Sequence, residues 1–210
     1  MTTNKSATIQ LIAPMEKTIK KNRKQIIFEE AARLFQEKGY RAASMRDLAD
    51  RVGLERASSL YSHIKSKEEI LLKICMENAH RFVEGLREVE AKPGKASDKI
   101  LQLIQLHIRI AIEDSTSVTV FNDEWRYLSE PHLSDFLGLR REYEQGFLRL
   151  IESGIESEEL KALDGKTILY TLISSTRWIH NWYRAGREID QEALQHDIAS
   201  LLLNGLRKDK

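Results

Sequence analysis

The stretch from residue 44 to 71, SMRDLADRVGLERASSLYSHIKSKEEIL, constrains this chain more than any other, because two helix-forming patterns meet there across a glycine. Ser44 stands at an N-cap position with Asp47 three residues on, the two ends of a capping-box-like start. Met45, Leu48, Ala49 and Val52 then fall on one stripe of a short helix. Gly53 predicts its stop, since a residue without Cβ accepts the left-handed backbone that ends helices. The next segment resumes with Leu54, Leu60, Tyr61 and Ile64 as its apolar positions. Helix, glycine turn, helix is a unit that can set its second helix into a DNA major groove.

The flanks extend the pattern. Upstream, KQIIFEEAARLFQEKGY places Ile26, Ile27, Ala31, Leu34 and Phe35 at helical spacing and stops at Gly39, with Tyr40 beyond. Downstream, Ser66-Lys67-Glu68-Glu69 reads as a capping box opening a long helix. The order AARLFQEKGY, then S-x-x-DLA-x-x-VG, then LY-x-H-I-x-SKEEIL resembles the tetracycline-repressor (TetR/AcrR) family of bacterial transcriptional regulators. That resemblance implies an all-α protein: an N-terminal three-helix helix-turn-helix DNA-binding domain followed by a C-terminal helical ligand-binding and dimerisation domain. It also implies double-stranded DNA, in the form of a palindromic operator, as a partner. One departure stands out. The family's tyrosine usually falls one residue nearer the turn glycine than Tyr61 lies to Gly53, so ERASS carries an extra residue that either lengthens the turn or adds to the second helix.

Side-chain chemistry assigns roles within the motif. Ser44 caps a helix whose N-terminus can approach a phosphate. Arg46, Arg56, Lys65 and Lys67 flank the unit as cations. Tyr61, His63 and Lys65 match positions that resemble the family's phosphate contacts, although Tyr61 reads equally as a core aromatic. Arg56, Ser58 and Ser59 are candidates for base edges, because Arg can hold guanine with two hydrogen bonds and Ser can bond several edges. Glu55 either accepts from a cytosine amine or lies near the helix start for dipole reasons.

The net charge of +1 conceals an asymmetry that supports this end as the polyanion partner: residues 1–65 hold 13 Lys/Arg against 7 Asp/Glu, and residues 66–210 hold 20 against 25. Lys17, Lys20, Lys21, Arg23 and Lys24 precede or open the first helix. Residues 1–20 lack a sustained period and read as a flexible arm; residues 21–66 form the expected DNA-binding domain and 67–210 the second. Few Pro and Gly, with abundant Leu, Ile, Ala, Glu, Lys and Arg, favour helix throughout. A single cysteine, Cys75, excludes an internal disulfide, and no apolar run of membrane-spanning length occurs. Both point to a cytoplasmic protein with no membrane partner.

Beyond Ser66 the pattern changes to long helices. Leu71, Leu72, Cys75, Ala79 and Phe82 carry a linking helix over residues 67–90, which Lys92-Pro93-Gly94-Lys95 ends. A second apolar-periodic segment spans SDKILQLIQLHIRIAIED, followed by a less regular stretch from Asp114 to Glu130. The next helix, from about His132 to Ser153, is expected to end at Gly154; Asp164 caps an aromatic helix that Gly186 closes, and Asp190 caps the last. Two late helices with more apolar surface than one small domain needs suggest a homodimer through a four-helix interface.

The segments FNDEWRYL, RREYEQGFLRLIESGI and RWIHNWYR resemble a TetR-family branch that responds to fatty-acyl or other coenzyme A thioesters. The implied partner is a small hydrophobic effector in a mostly apolar tunnel. Arg126, Arg140, Arg141, Arg177 and Arg184 are candidate phosphate partners; Trp125, Tyr143, Phe147, Trp178, Asn181 and Trp182 are candidate walls. Aromatic packing in a dimer interface is the competing reading of the same residues. No cofactor and no catalytic residue is expected: there is no GxSxG, P-loop or Rossmann glycine pattern. Glu77-x-x-His80 has the spacing of a di-iron ligand pair but lacks the second pair such a site needs, so no metal is expected either. A non-enzymatic, partner-binding helical protein without operator specificity is the other reading.

Overall fold

In the computed structural model, which describes residues 22–183 and 190–207, the chain is a set of helices with no β-strand among the described residues. Helix α1 (Arg23–Lys38) opens behind Asn22, whose side chain accepts from Lys24 N–H while Gln25 reaches back to the Asn22 N–H. It ends at Gly39, where φ is +80°. Helix α2 (Met45–Arg51) follows, then a 3-10 helix over Ala57–Ser62, and then the long α3 (Lys67–Ala91). The expected second helix of the turn unit is thus a single tight 3-10 stretch, not an α-helix. Of the ERASS stretch, Glu55 and Arg56 lie in the turn, with Arg56 at the N-cap position, and Ala57, Ser58 and Ser59 lie in the 3-10 helix.

The remainder is α4 (Ala96–Glu113), α5 (Ser115–Asp123), a 3-10 turn at Trp125–Tyr127, α6 (His132–Glu156), α7 (Gly165–Arg177), α8 (Ile179–Trp182) and α9 (Gln191–Asn204). Three features depart from the sequence reading. Helix α5 occupies the stretch read as irregular, capped by Asp114, whose carboxylate accepts from Ser117 N–H at 2.9 Å. Gly154 does not end α6: the helix runs on to Glu156, and Gly154 is a close-approach point where a Cβ would meet Leu160 Cδ1 at 2.9 Å. The aromatic helix breaks after Arg177 into α7 and α8, and the Gly186 stop lies outside the described residues.

Two hydrophobic clusters hold these elements. One joins α1, α2, the 3-10 helix and the first half of α3 around Ile27, Leu34, Phe35, Leu48, Leu60 and Ile70. The other gathers the second half of α3 with α4, α6, α7 and α9 around Leu86, Ile100, Ile104, Ile108, Phe147 and Ile151. The change of core falls inside α3, between Ala79 and Phe82. The first cluster also takes in Val120, Leu128 and Phe136, contributed by α5, the turn after it and α6. The N-terminal head is therefore packed directly on the second layer as well as tethered through α3.

Candidate nucleic-acid face and effector cavity

The head presents its turn unit as follows. The Ser44 hydroxyl accepts from Asp47 N–H at 3.1 Å and donates to the Asp47 carboxylate at 2.6 Å, and the Ser44 N–H reaches the same carboxylate at 2.9 Å. These bonds, the Ser44 hydroxyl foremost, together with Lys38 at 3.0 Å, hold the Asp47 carboxyl well below the usual range. Ser44 is thus engaged by its own helix, and a fixed negative charge stands where the sequence reading placed a phosphate. At the other end Gly53, with φ +68°, lets Leu54 N–H reach Ala49 O at 2.9 Å and Gly53 N–H reach Asp50 O at 3.3 Å. This is the paired bonding of a left-handed helix stop, and it aims the following turn.

Leu60 and Ile64 point into the core from that turn, while Tyr61 is 56% exposed, which places it outward and removes the core-aromatic reading. Glu55, Arg56, Ser58, Ser59 and Lys65 are exposed and His63 is half-buried.

The head's cations fall into two groups. Arg51 is paired with Glu37, Arg33 with Glu30, Lys38 with Asp47 and Lys73 with Glu77. Arg23 donates to the Val52 carbonyl at 2.8 Å, closing α1 on α2, and Lys24 lies 3.9 Å from Glu69. Arg46, Arg56 and Lys65 are exposed and have no carboxylate partner among the described residues. Lys17, Lys20 and Lys21 lie outside the described residues. Unneutralised cations on a turn unit are what a phosphate backbone would engage.

Lys67 belongs to neither group. Its ammonium donates to the carbonyls of Tyr40 at 2.7 Å, Ala43 at 2.8 Å and Arg41 at 3.4 Å, and sits 4.4 Å from the centre of the Tyr40 ring. Burial pushes its pKa down. The sequence placed Lys67 among the DNA contacts; the structure turns it inward, where it pins the α1–α2 connection to the start of α3.

The second layer holds a cavity of about 110 Å³ between α3, α4, α5, α6 and α7. Trp125, Arg140, Tyr143 and Arg177 from the sequence reading line it. Phe147 stands one ring behind, edge-on to Tyr143 at 6.0 Å. Arg126 and Arg141 are exposed and do not line it. Trp178 and Trp182 are 65% and 44% exposed and also lie off the cavity; Tyr170 and Leu201 are exposed as well. Those two tryptophans are therefore not walls of this cavity. Arg184 lies outside the described residues, as does the Asn181 side chain.

Both cavity arginines are already matched by acids. Arg140 donates to Glu144 at 2.9 Å and lies 5.5 Å from the Trp125 ring centre. Arg177 donates to Asp123 at 2.8 Å and to the Asn122 carbonyl at 2.7 Å.

Sequence reasoning did not place His107 or Phe82 in this site. His107 stacks on Phe82 with ring centres 4.7 Å apart, and its Nε2 lies 2.7 Å from the Tyr143 hydroxyl. Burial lowers the His107 pKa to about 4 and pushes the Tyr143 phenol upward. A signal was present: His107 follows Leu103 by one helical turn and precedes Ala111 by another, so a polar ring occupies an inward position of α4. Cys75, buried in the head core, is pushed up to about 12 by burial, so no reactive thiolate is added to either site.

The cavity and the head share a wall. Phe136, Phe121, Trp125 and Ala79 line the cavity and also belong to, or pack against, the core of the head. Phe136 meets Phe121 and Trp125, each at 5.7 Å between ring centres. One step further, Tyr127 stacks on Tyr40 at 5.7 Å, and the Ser129 N–H donates to Glu68 at 2.9 Å.

Residues 27–74 match the family model described as bacterial regulatory proteins of the tetR family, and residues 93–206, more than half of the chain, match the tetracyclin repressor-like C-terminal domain. The HTH-type transcriptional repressor KstR2 of Rhodococcus jostii is 27% identical over 190 residues, covering 89% of this chain and 92% of that relative. The structure of the ketosteroid transcriptional regulator KstR2 of Mycobacterium tuberculosis superposes with a TM-score of 0.83 at 23% identity, over 90% of this chain and 96% of that one. The crystal structure of AibR in complex with isovaleryl coenzyme A and operator DNA gives 0.73 at 20% identity, over 87% and 98%.

Proposed function

This chain belongs to the tetR family of bacterial regulatory proteins, and on that premise we propose that it is a ligand-responsive transcriptional repressor, a homodimer released from a palindromic operator when a small hydrophobic effector enters the second-layer cavity. It works in the cytoplasm, where the DNA is; among the described residues no helix is long and apolar enough to cross a membrane. Arg56, Ser58 and Ser59 read bases from the start of the 3-10 helix, with Glu55 beside them, and Arg46, Tyr61, His63 and Lys65 hold the backbone. Ser44 and Lys67, bonded within the head, support these residues from behind. Exposed Tyr170, Trp178, Trp182 and Leu201 supply apolar surface for the dimer, whose twofold axis would set two reading heads on successive half-sites.

The observation that carries the switch is the shared wall. The cavity, at about 110 Å³, is smaller than the roughly 150 Å³ that accommodates a benzene-sized molecule in an apolar interior. An acyl chain that fills it presses on Phe121, Trp125 and Phe136, which cannot move without disturbing the core of the head. The displacement then reaches α3 and the connection that Lys67 holds. The coupling can be no larger than the effector's difference in affinity between the two states. A coenzyme A thioester is the effector class that AibR's complex makes most natural to try first.

The test is fluorescence anisotropy on the DNA upstream of the protein's own gene, against random competitor, with and without a long-chain acyl-CoA. Specific binding that the thioester abolishes supports both halves of the reading. Specific binding indifferent to it keeps the regulator and discards this effector class. Weak binding without preference at any salt favours the partner-binding alternative.

A further inference from the structure

We propose that the cavity selects a ligand carrying an uncharged oxygen, a carbonyl or a hydroxyl, which hydrogen-bonds to the free Nδ1 of His107, a step that rests on the effector-entry reading above. The His107 ring is clamped between Phe82 and Tyr143, with centres at 4.7 and 5.5 Å, and its Nε2 is taken by the Tyr143 hydroxyl at 2.7 Å. Nδ1 has no partner among the described residues. Nor is it one of the sealed polar atoms that lack a bond, which are Asn78 Oδ1 and the two His180 nitrogens. Since His107 lines the cavity, Nδ1 opens onto it. A ligand that fills the cavity takes water away from this atom, and leaving it bare then costs more than the bond itself returns.

The chemistry of that partner follows from its surroundings. An imidazole kept neutral by burial offers an incoming anion no counter-charge, and a carboxylate driven in beside Phe82 and Ala111 would lose its hydration uncompensated. The charged groups on the wall are already matched as Arg140 with Glu144 and Arg177 with Asp123. The Thr176 hydroxyl donates within its own helix, to Leu172 O at 3.0 Å or Ile173 O at 3.1 Å, and has only acceptor capacity left. If the Tyr143 hydroxyl donates to Nε2, Nδ1 carries the proton and takes a carbonyl or a hydroxyl; if Tyr143 accepts, Nδ1 is bare and takes a hydroxyl alone. In either tautomer the ligand brings an oxygen without a charge. Purely hydrocarbon chains leave Nδ1 unpaired and are selected against, as sites built around a polar contact reject analogues that lack it.

Cyclohexanol, cyclohexanone and methylcyclohexane are suitable probes, because they keep the ring and change only the substituent. The intact protein, labelled with 15N at histidine, is titrated with each, and affinities are measured again for His107→Phe, which retains the ring packing. The expected result is that at least one oxygenated ring moves the His107 Nδ1 resonance. The same ring loses roughly tenfold in affinity in the variant, while methylcyclohexane binds the variant at least as well as the native protein. If all three rings bind but lose affinity alike, or leave Nδ1 unmoved, the assignment to His107 is overturned and the cavity-entry reading stands. If none binds the native protein, both fall. Should the variant fail to fold, the native 15N titration decides the matter by itself.

Discussion

Replacing Lys67 by methionine separates a cation that builds the head from one that holds DNA. The native ammonium donates at 2.7 and 2.8 Å to the carbonyls of Tyr40 and Ala43, with a weaker bond to Arg41 at 3.4 Å. Hydrogen bonds to a charged donor contribute about 1.5–3 kcal/mol each. These carbonyls lie at a half-buried position and can recover water once the ammonium is gone, so the lower end applies and the third bond adds little. The methionine keeps the aliphatic stem but loses the contact with the Tyr40 ring, worth about 0.5–1 kcal/mol at such a site. Two bonds at that end and the ring contact come to about 3.5–4 kcal/mol, which for a chain of this size lowers the melting temperature by roughly 7–16 °C. Circular dichroism melting at neutral pH measures it, and operator affinity is followed against salt concentration in parallel. A structural Lys67 predicts a lower melting temperature and an unchanged slope of log affinity on log salt. An unchanged melting temperature with a slope shallower by about one unit per protomer would refute the inward assignment, because that is the signature of a lost phosphate contact.

Lys65→Ala should give the opposite pattern, with stability intact, every DNA sequence weakened alike and the salt slope flattened by about one unit per protomer; Arg56→Ala should instead relax preference at one base pair by about 1–3 kcal/mol, read by competition with single-base operator variants. Because His107 titrates at about 4 in the fold against an ordinary value near 6.5, its contribution is complete above about pH 6.5 and is lost as pH falls towards 4. Over that window the native protein should lose up to about 3 kcal/mol more than His107→Phe in urea titrations, and parallel profiles would contradict the buried neutral ring. Leu201→Glu removes a side chain that is 75% exposed in the protomer; if it is covered in the dimer, two symmetry-related losses of about 1.5–3 kcal/mol each should shift sedimentation towards monomer and abolish operator binding together. Gly53→Ala has open space for its Cβ, so its cost should be the left-handed backbone alone, about 1–2 kcal/mol in thermal unfolding.

What the sequence made legible was mostly local. Ser44, Ser66, Asp164 and Asp190 each accept a hydrogen bond from a backbone N–H two or three residues on, and such bonds depend on spacing that can be read along the chain. Gly53 and Pro93-Gly94 mark breaks for the same reason. Helix α5 was not legible: STSVTVFND is rich in β-branched and short polar residues of low helix propensity, and its helix is held by packing Val118 and Val120 into the cores. Nor could spacing show that Lys67 would meet carbonyls contributed by residues 40, 41 and 43, since that bond exists only once α3 is folded back against α1. The Arg and Trp residues of the late segment drew attention by their chemistry. Yet membership of the cavity is decided by which side of a helix faces inward, so Arg177 lines it and Trp178 does not.

The wall made by Phe121, Trp125 and Phe136 sets a rule for anyone retuning this protein as a biosensor. Residues that line the cavity without joining the core of the head, such as His107, Ala111 and Ile173, are the positions at which preference for one inducer over another should change with least effect on basal promoter occupancy. The aromatic trio offers no such freedom. A substitution there changes sensitivity, leakiness and the stability of the reading head at once, and because linkage is reciprocal, any gain in inducer affinity obtained by loosening that wall returns as a promoter less firmly shut.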